Sequence, residues 1–81
     1  LAAGATEPPR VLDVATGTGK LAFALKRAWP ACEVVGVDFA EPMLVVARSA
    51  ADRSGLDVRF EQADGTALPF EDASFDAVTI A

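Results

Sequence analysis

The chain of 81 residues carries twelve acidic and seven basic side chains, a net charge of −5 and a pI near 4.4, is 52% hydrophobic, and contains no histidine. The missing imidazole excludes a Ser/His/Asp triad, a Cys/His dyad, a histidine base and a His-ligated metal, and the lone Cys32 can build neither an internal disulfide nor a thiolate cluster. Scattered cations outnumbered by acids are the reverse of what phosphate neutralisation requires, so no nucleic acid is expected as a partner. No metal is expected either.

No apolar run approaches the roughly 20 residues of a membrane-spanning helix, and single-cysteine usage points to a reducing cytoplasm. A chain of this mass buries roughly 60% of its unfolded surface, and its 17 alanines fill little volume. The expected core is small. The start at Leu1 and the apolar run Val78-Thr79-Ile80-Ala81 at the end suggest a piece of a longer protein.

Residues 1–9, with Gly4 and Pro8-Pro9, read as a loose lead-in. Val11 to Ala15 is a short apolar, β-branched run that predicts a buried strand, closed by the turn Thr16-Gly17-Thr18-Gly19. From Lys20 to Trp29 the period changes: Leu21, Ala24, Leu25 and Ala28 recur at helical spacing, Lys26 and Arg27 point away, and Pro30 ends the segment. Glu33 to Asp38 predicts a second buried strand.

A second helix follows. Pro42 suits its first turn, Met43, Leu44, Val46, Ala47, Ala50 and Ala51 supply an apolar face, and Ser54-Gly55 supplies the stop. Val58 to Gln62 alternates as a third strand, and Phe75 to Ala81 forms a fourth after a loop rich in turn formers. The order βαβαβ-loop-β implies parallel pairing and right-handed crossovers in an α/β, Rossmann-like doubly wound sheet. With the first strand central, the expected order is 3-2-1-4, which opens a crevice at the carboxyl ends of the strands.

Two features point into that crevice. Gly17 and Gly19 lie between strand and helix, where backbone can approach a ligand that a Cβ would hold off. Asp38 ends the second strand 19 residues beyond Gly19, where a carboxylate can accept from both hydroxyls of a ribose. Two ligand classes satisfy this pattern. Gly17-Thr18-Gly19-Lys20-Leu21-Ala22 fits a dinucleotide turn, so the NAD-binding half of an oxidoreductase is one reading.

The stretch Asp64-Gly65-Thr66-Ala67-Leu68-Pro69-Phe70, followed by Ser74-Phe75-Asp76-Ala77-Val78, favours the other. Together with Val11 to Gly19 and the run Asp38-Phe39-Ala40-Glu41-Pro42-Met43-Leu44, it resembles the class I S-adenosylmethionine-dependent methyltransferases, nearest the ubiquinone/menaquinone biosynthesis C-methyltransferase group. The resemblance implies S-adenosylmethionine as cofactor and a small-molecule methyl acceptor, of which a quinol-type carbon is one form. Residues 10–81 would then be the cofactor-binding half of such a domain, cut in or just after the fourth strand.

By that resemblance Ala15, Gly17 and Gly19 would lie under the methionine part of the cofactor, with Asp13 near its amino group. Asp38 would hold the ribose and Phe39 and Met43 would wall the adenine. Asp64 would accept from the exocyclic amine, as a carboxylate can from an amino-purine, and the Gly65 N–H would reach a ring nitrogen. Leu68-Pro69-Phe70 and Phe75 are expected to pack, Asp76 to be structural, and Glu71 and Asp72 to be solvated. Acceptor contacts are expected beyond the fourth strand, so no catalytic residue is assigned, and the 81 residues alone are expected to bind cofactor poorly, an inactive truncated remnant being the further alternative. Three positions depart from the group: Ala15 stands where glycine is frequent, Ala40 where serine caps the second helix, and Lys20 where an acid is common.

Overall fold

Four strands, Arg10–Val14 (β1), Glu33–Asp38 (β2), Val58–Gln62 (β3) and Ala77–Ile80 (β4), pair in parallel in the order β3-β2-β1-β4. The helices are Lys20–Ala28 (α1) and Glu41–Ser54 (α2). This computed structural model describes residues 9–63 and 75–80, so residues 1–8 of the lead-in, Asp64, Gly65, Leu68-Pro69-Phe70, Glu71, Asp72 and Ala81 lie outside the described residues.

The connections β1-α1-β2-α2-β3 step in one direction across the sheet, and right-handed crossovers then place both helices on the same face. Ala22 and Phe23 of α1 and Leu44, Ala47 and Ala51 of α2 accordingly share one core with Val11, Val34, Val58 and Phe60. Leu12, Val35 and Val37 point the other way, and Val14, Ala63 and Phe75 pack on them. Burial on both faces is why β1 and β2 read as continuous apolar runs rather than alternating ones.

Parallel pairing, strand order and the number of elements match the sequence reading, while three details differ. β1 closes one residue early because Ala15 takes a left-handed conformation at φ 58° and leaves the ladder. β4 begins at Ala77, since Asp76 is committed to the start of β1: its N–H donates to the Arg10 carbonyl at 2.8 Å and its carboxylate accepts from the Arg10 N–H at 2.7 Å. Asp76 is therefore structural, as expected.

The helix faces differ more. In α1 the buried residues are Ala22 and Phe23, whereas Leu21 is 37% exposed and Ala24 and Ala28 are exposed. The cause is tertiary: the Phe23 ring meets the Phe60 ring edge-on at 5.6 Å, which fixes the helix rotation, and an alanine-rich helix offers little hydropathy contrast against it. In α2, Leu44, Ala47 and Ala51 are buried as expected, but Met43 and Val46 face outward. A stripe of three contacts per two turns suffices for a helix lying on a sheet.

One row across the sheet sets up the site. In register, Phe60 of β3 lies beside Gly36 of β2, Gly36 beside Asp13 of β1, and Asp13 beside Thr79 of β4. Paired residues of neighbouring strands share a face, so the four sit side by side toward the carboxyl ends, below the turn that leaves β1.

Candidate functional site

That turn, Ala15 to Gly19, is held from three sides. The Thr16 N–H donates to the Val37 carbonyl at 2.9 Å, the Gly17 N–H donates to Asp38 Oδ2 at 2.8 Å, and the Thr16 hydroxyl donates to Asp13 Oδ2 at 2.8 Å. The Gly19 N–H then returns to the Thr16 carbonyl, and the carbonyl of Gly19 opens the hydrogen-bond ladder of α1 through Phe23.

Its two glycines serve different ends. Gly19, at φ 90°, sits on the aromatic floor: a Cβ there would come within 2.9 Å of the Phe60 ring and 3.0 Å of the Phe23 ring. Gly17, at φ 58°, has open space where its Cβ would be. Gly19 is required by packing and backbone; Gly17 leaves the outer side of the turn open.

The Asp38 carboxylate is held by two backbone donors. Its Oδ1 accepts from the Ala40 N–H at 2.9 Å and its Oδ2 from the Gly17 N–H, which fixes the carboxylate plane. Each oxygen keeps a further lone-pair direction. Two parallel hydroxyl donors, as on a cis-diol, match what remains. The main chain of Asp38 is fixed too, its carbonyl accepting from the Ala63 N–H at 3.0 Å.

A cavity of about 130 Å³ opens here, lined by Val14, Ala15, Val37, Asp38, Phe39 and Ala63. Larger hollows are present among the described residues. Two of about 350 and 370 Å³ lie at the other end of the strands, around Lys26, Cys32, Asp57 and Arg59 and around Pro9, Trp29 and Asp76. Size alone would choose those, yet ligands of open α/β sheets bind outside the carboxyl ends, where the fixed carboxylate and the open Gly17 also are. Whole small-molecule sites run to roughly 300 Å³ or more, so this cavity by itself is too small for one.

The remaining sequence-predicted positions divide. Ala15 and Phe39 line the cavity, and Phe39 is 74% exposed, its carbonyl accepting from Gln62 Nε2 at 3.0 Å. Met43 is exposed in the first turn of α2 and does not line the cavity. Asp13 has surroundings of another kind: it is fully buried, and its oxygens accept from the hydroxyls of Thr16 and, at 2.6 Å, Thr79. It therefore faces the turn and β4 and does not line the cavity. Asp64 and Gly65 lie outside the described residues.

Sequence reasoning missed Thr16, Ala63 and Thr79. One signal was available: an acid inside a buried apolar strand must find donors, and Thr16 is the hydroxyl nearest to Asp13 along the chain. Thr79 was visible only through strand register.

Residues 11–81 match the family model described as a methyltransferase domain. The chain belongs to that methyltransferase family. It is 62% identical over 74 residues to a demethylmenaquinone methyltransferase of Thermus thermophilus, covering 91% of this chain and 34% of that protein. A ubiquinone/menaquinone biosynthesis C-methyltransferase of Bdellovibrio bacteriovorus is 47% identical over 77 residues, covering 95% of this chain and 33% of that protein. A release factor glutamine methyltransferase of Deinococcus radiodurans is 56% identical over 54 residues, or 67% of this chain and 19% of the relative. Among solved structures, the YcgJ protein of Bacillus subtilis superimposes with a TM-score of 0.83 at 40% identity over 96% of this chain and 33% of that one.

The chain thus spans about a third of the length of the curated relatives it matches. Membership of a methyltransferase family speaks against the oxidoreductase reading that the glycine turn and Asp38 left open. Among its described residues, no group of three or more acids or cysteines could hold a metal ion, and no helix is long and apolar enough to cross a membrane.

Proposed function

We propose that this chain is the cofactor-binding half of an S-adenosylmethionine-dependent methyltransferase that acts on a small-molecule acceptor, a quinol-type carbon in keeping with its demethylmenaquinone and ubiquinone relatives, in the cytoplasm. The observation that carries the proposal is the Asp38 carboxylate, fixed by two backbone N–H groups with its outer lone pairs free, beside a glycine whose outer side is open.

The residues present fit the cofactor at its sugar and amino-acid ends. Asp38 would accept from the two ribose hydroxyls, Ala15, Gly17 and Gly19 would lie beneath the methionine chain, and Phe39 would flank the base, with Met43 beyond it. Asp64 and Gly65 would read the adenine edge, by resemblance to the family. Asp13 would support the amino end indirectly by fixing Thr16.

When bound, the cofactor supplies a sulfonium-activated methyl group for in-line displacement. The task of this half is positioning: a rigid turn and a fixed carboxylate hold the donor in one orientation, and orientation alone can supply much of the rate of such a reaction. Proton handling at the acceptor would fall to residues outside this chain.

The test is equilibrium dialysis of S-adenosylhomocysteine and of NAD against the full chain and its Asp38→Ala variant. Losing a hydrogen-bonded charged partner should weaken S-adenosylhomocysteine binding about ten- to a hundred-fold, with NAD not retained. Retention of NAD, or affinity indifferent to Asp38→Ala, would refute the assignment.

A further inference from the structure

Asp13 is a fully buried carboxylate, and none of the ion pairs among the described residues includes it. A buried carboxylate needs hydrogen-bond donors, and among the described residues it has two, the hydroxyls of Thr16 and Thr79, at 2.8 and 2.6 Å. They come from opposite directions: Thr16 lies in the turn, Thr79 on the far strand.

Thr79 is an unusual member of its strand. Ala77, Val78 and Ile80 are exposed, while Thr79 alone is half-buried and commits its hydroxyl to Asp13. The space for this arrangement is supplied by Gly36. A Cβ on Gly36 would stand 2.7 Å from the Thr16 oxygen and 2.8 Å from the Phe60 ring. With no side chain there, the Thr16 hydroxyl can drop toward the sheet and reach Asp13.

We propose that Thr79 is a positioning residue for the cofactor turn, acting through Asp13: its hydroxyl fixes the carboxylate in the orientation that accepts from Thr16, so that β4 holds the turn in its binding shape. The inference rests on the proposed function only in taking the turn as the cofactor's seat. Its structural content stands apart from any ligand. Without the Thr79 hydroxyl, Oδ1 of Asp13 loses its donor, the carboxylate can rotate, and the Thr16 bond loosens with it.

Amide hydrogen exchange of the ligand-free full chain, comparing Thr79→Val and Thr79→Ser with the unaltered protein, reads the relay directly. Valine keeps the shape and β-propensity but removes the donor; serine keeps the donor. Thr79→Val should speed exchange at the Thr16, Gly17 and Gly19 amides about ten-fold, the loss of one hydrogen bond to a charged group, while the β2–β3 amides hold their rates. Thr79→Ser should restore the turn.

Unchanged exchange at the turn, equal acceleration throughout the sheet, or failure of serine to restore would overturn the relay. Thr16→Val, which breaks the same chain from its other end, provides a second check: the double variant should lose no more turn protection than Thr16→Val alone, and additive losses would count against coupling. S-adenosylhomocysteine affinity, measured on the same proteins, separates the two proposals. Binding to the unaltered chain, weak as it is expected to be, that falls with Thr79→Val and returns with Thr79→Ser supports both; binding indifferent to Asp38→Ala refutes the functional assignment and leaves exchange to decide the relay.

Discussion

Ala15 is a residue in a conformation that suits glycine. At φ 58° its Cβ crowds the following carbonyl, which costs roughly 1–2 kcal/mol in an L-residue. Replacing it relieves that strain but loosens the unfolded chain, an opposing effect of about 0.4–1 kcal/mol. Ala15→Gly should therefore stabilise the protein by about 0.5–1 kcal/mol in denaturant unfolding; a loss of stability would show that the Ala15 methyl makes a contact worth more than the strain. Cys32 gives a prediction in pH. Burial pushes its thiol above the ordinary value of 9.0, Lys26 opposes the shift, and Asp76 and Glu33 reinforce it. The folded state thus favours the protonated thiol, so the contribution of Cys32 to stability is complete below the ordinary value and declines as pH rises through and beyond it. Alkylation by iodoacetamide at pH 8 should be slow in native protein and fast in urea, and equal rates would contradict the burial.

At the scale of the element, the sequence was legible where local chemistry decides and silent where packing does. Pro42 and Gly55 marked α2 because they act on their own backbone, and the continuous apolar runs marked β1 and β2 because both faces are covered. The rotation of α1 was hidden, since it depends on Phe60 arriving from a strand more than thirty residues away to meet Phe23. The candidate site divides in the same way: Gly17, Gly19 and Asp38 announce themselves by type and spacing, whereas Thr79 matters through register alone. One element carries a correctable weakness. Ala40 is the N-cap of α2, in an extended conformation with no side-chain hydrogen bond. Ala40→Ser supplies the missing acceptor and should stabilise the protein by about 1 kcal/mol, raising the thermal midpoint. No change in midpoint would mean that the bond from the Ala40 N–H to Asp38 already organises this helix start.

For the molecule as a whole, the asymmetry of the sheet matters most. β1 and β2 are covered on both faces, but β4 forms one edge with Val78 59% and Ile80 78% exposed. An apolar strand with an unpaired side is a template for further pairing. The isolated 81-residue chain should accordingly self-associate as its concentration rises in sedimentation velocity, and Val78→Lys, which places a charge on that edge strand, should shift the distribution toward monomer. An unaltered chain that remains monomeric at high concentration would show that this edge is already protected.

Gly36 has a consequence for how sequences like this one can change over generations. The space that it leaves is shared by the Thr16 hydroxyl from the turn and the Phe60 ring from β3, so three positions far apart in the chain draw on one small volume. An alanine at 36 is tolerable only if the ring shrinks and the threonine retreats together. A larger residue at 36 is therefore blocked by the other two, and Gly36 should be kept wherever Thr16 and Phe60 are kept.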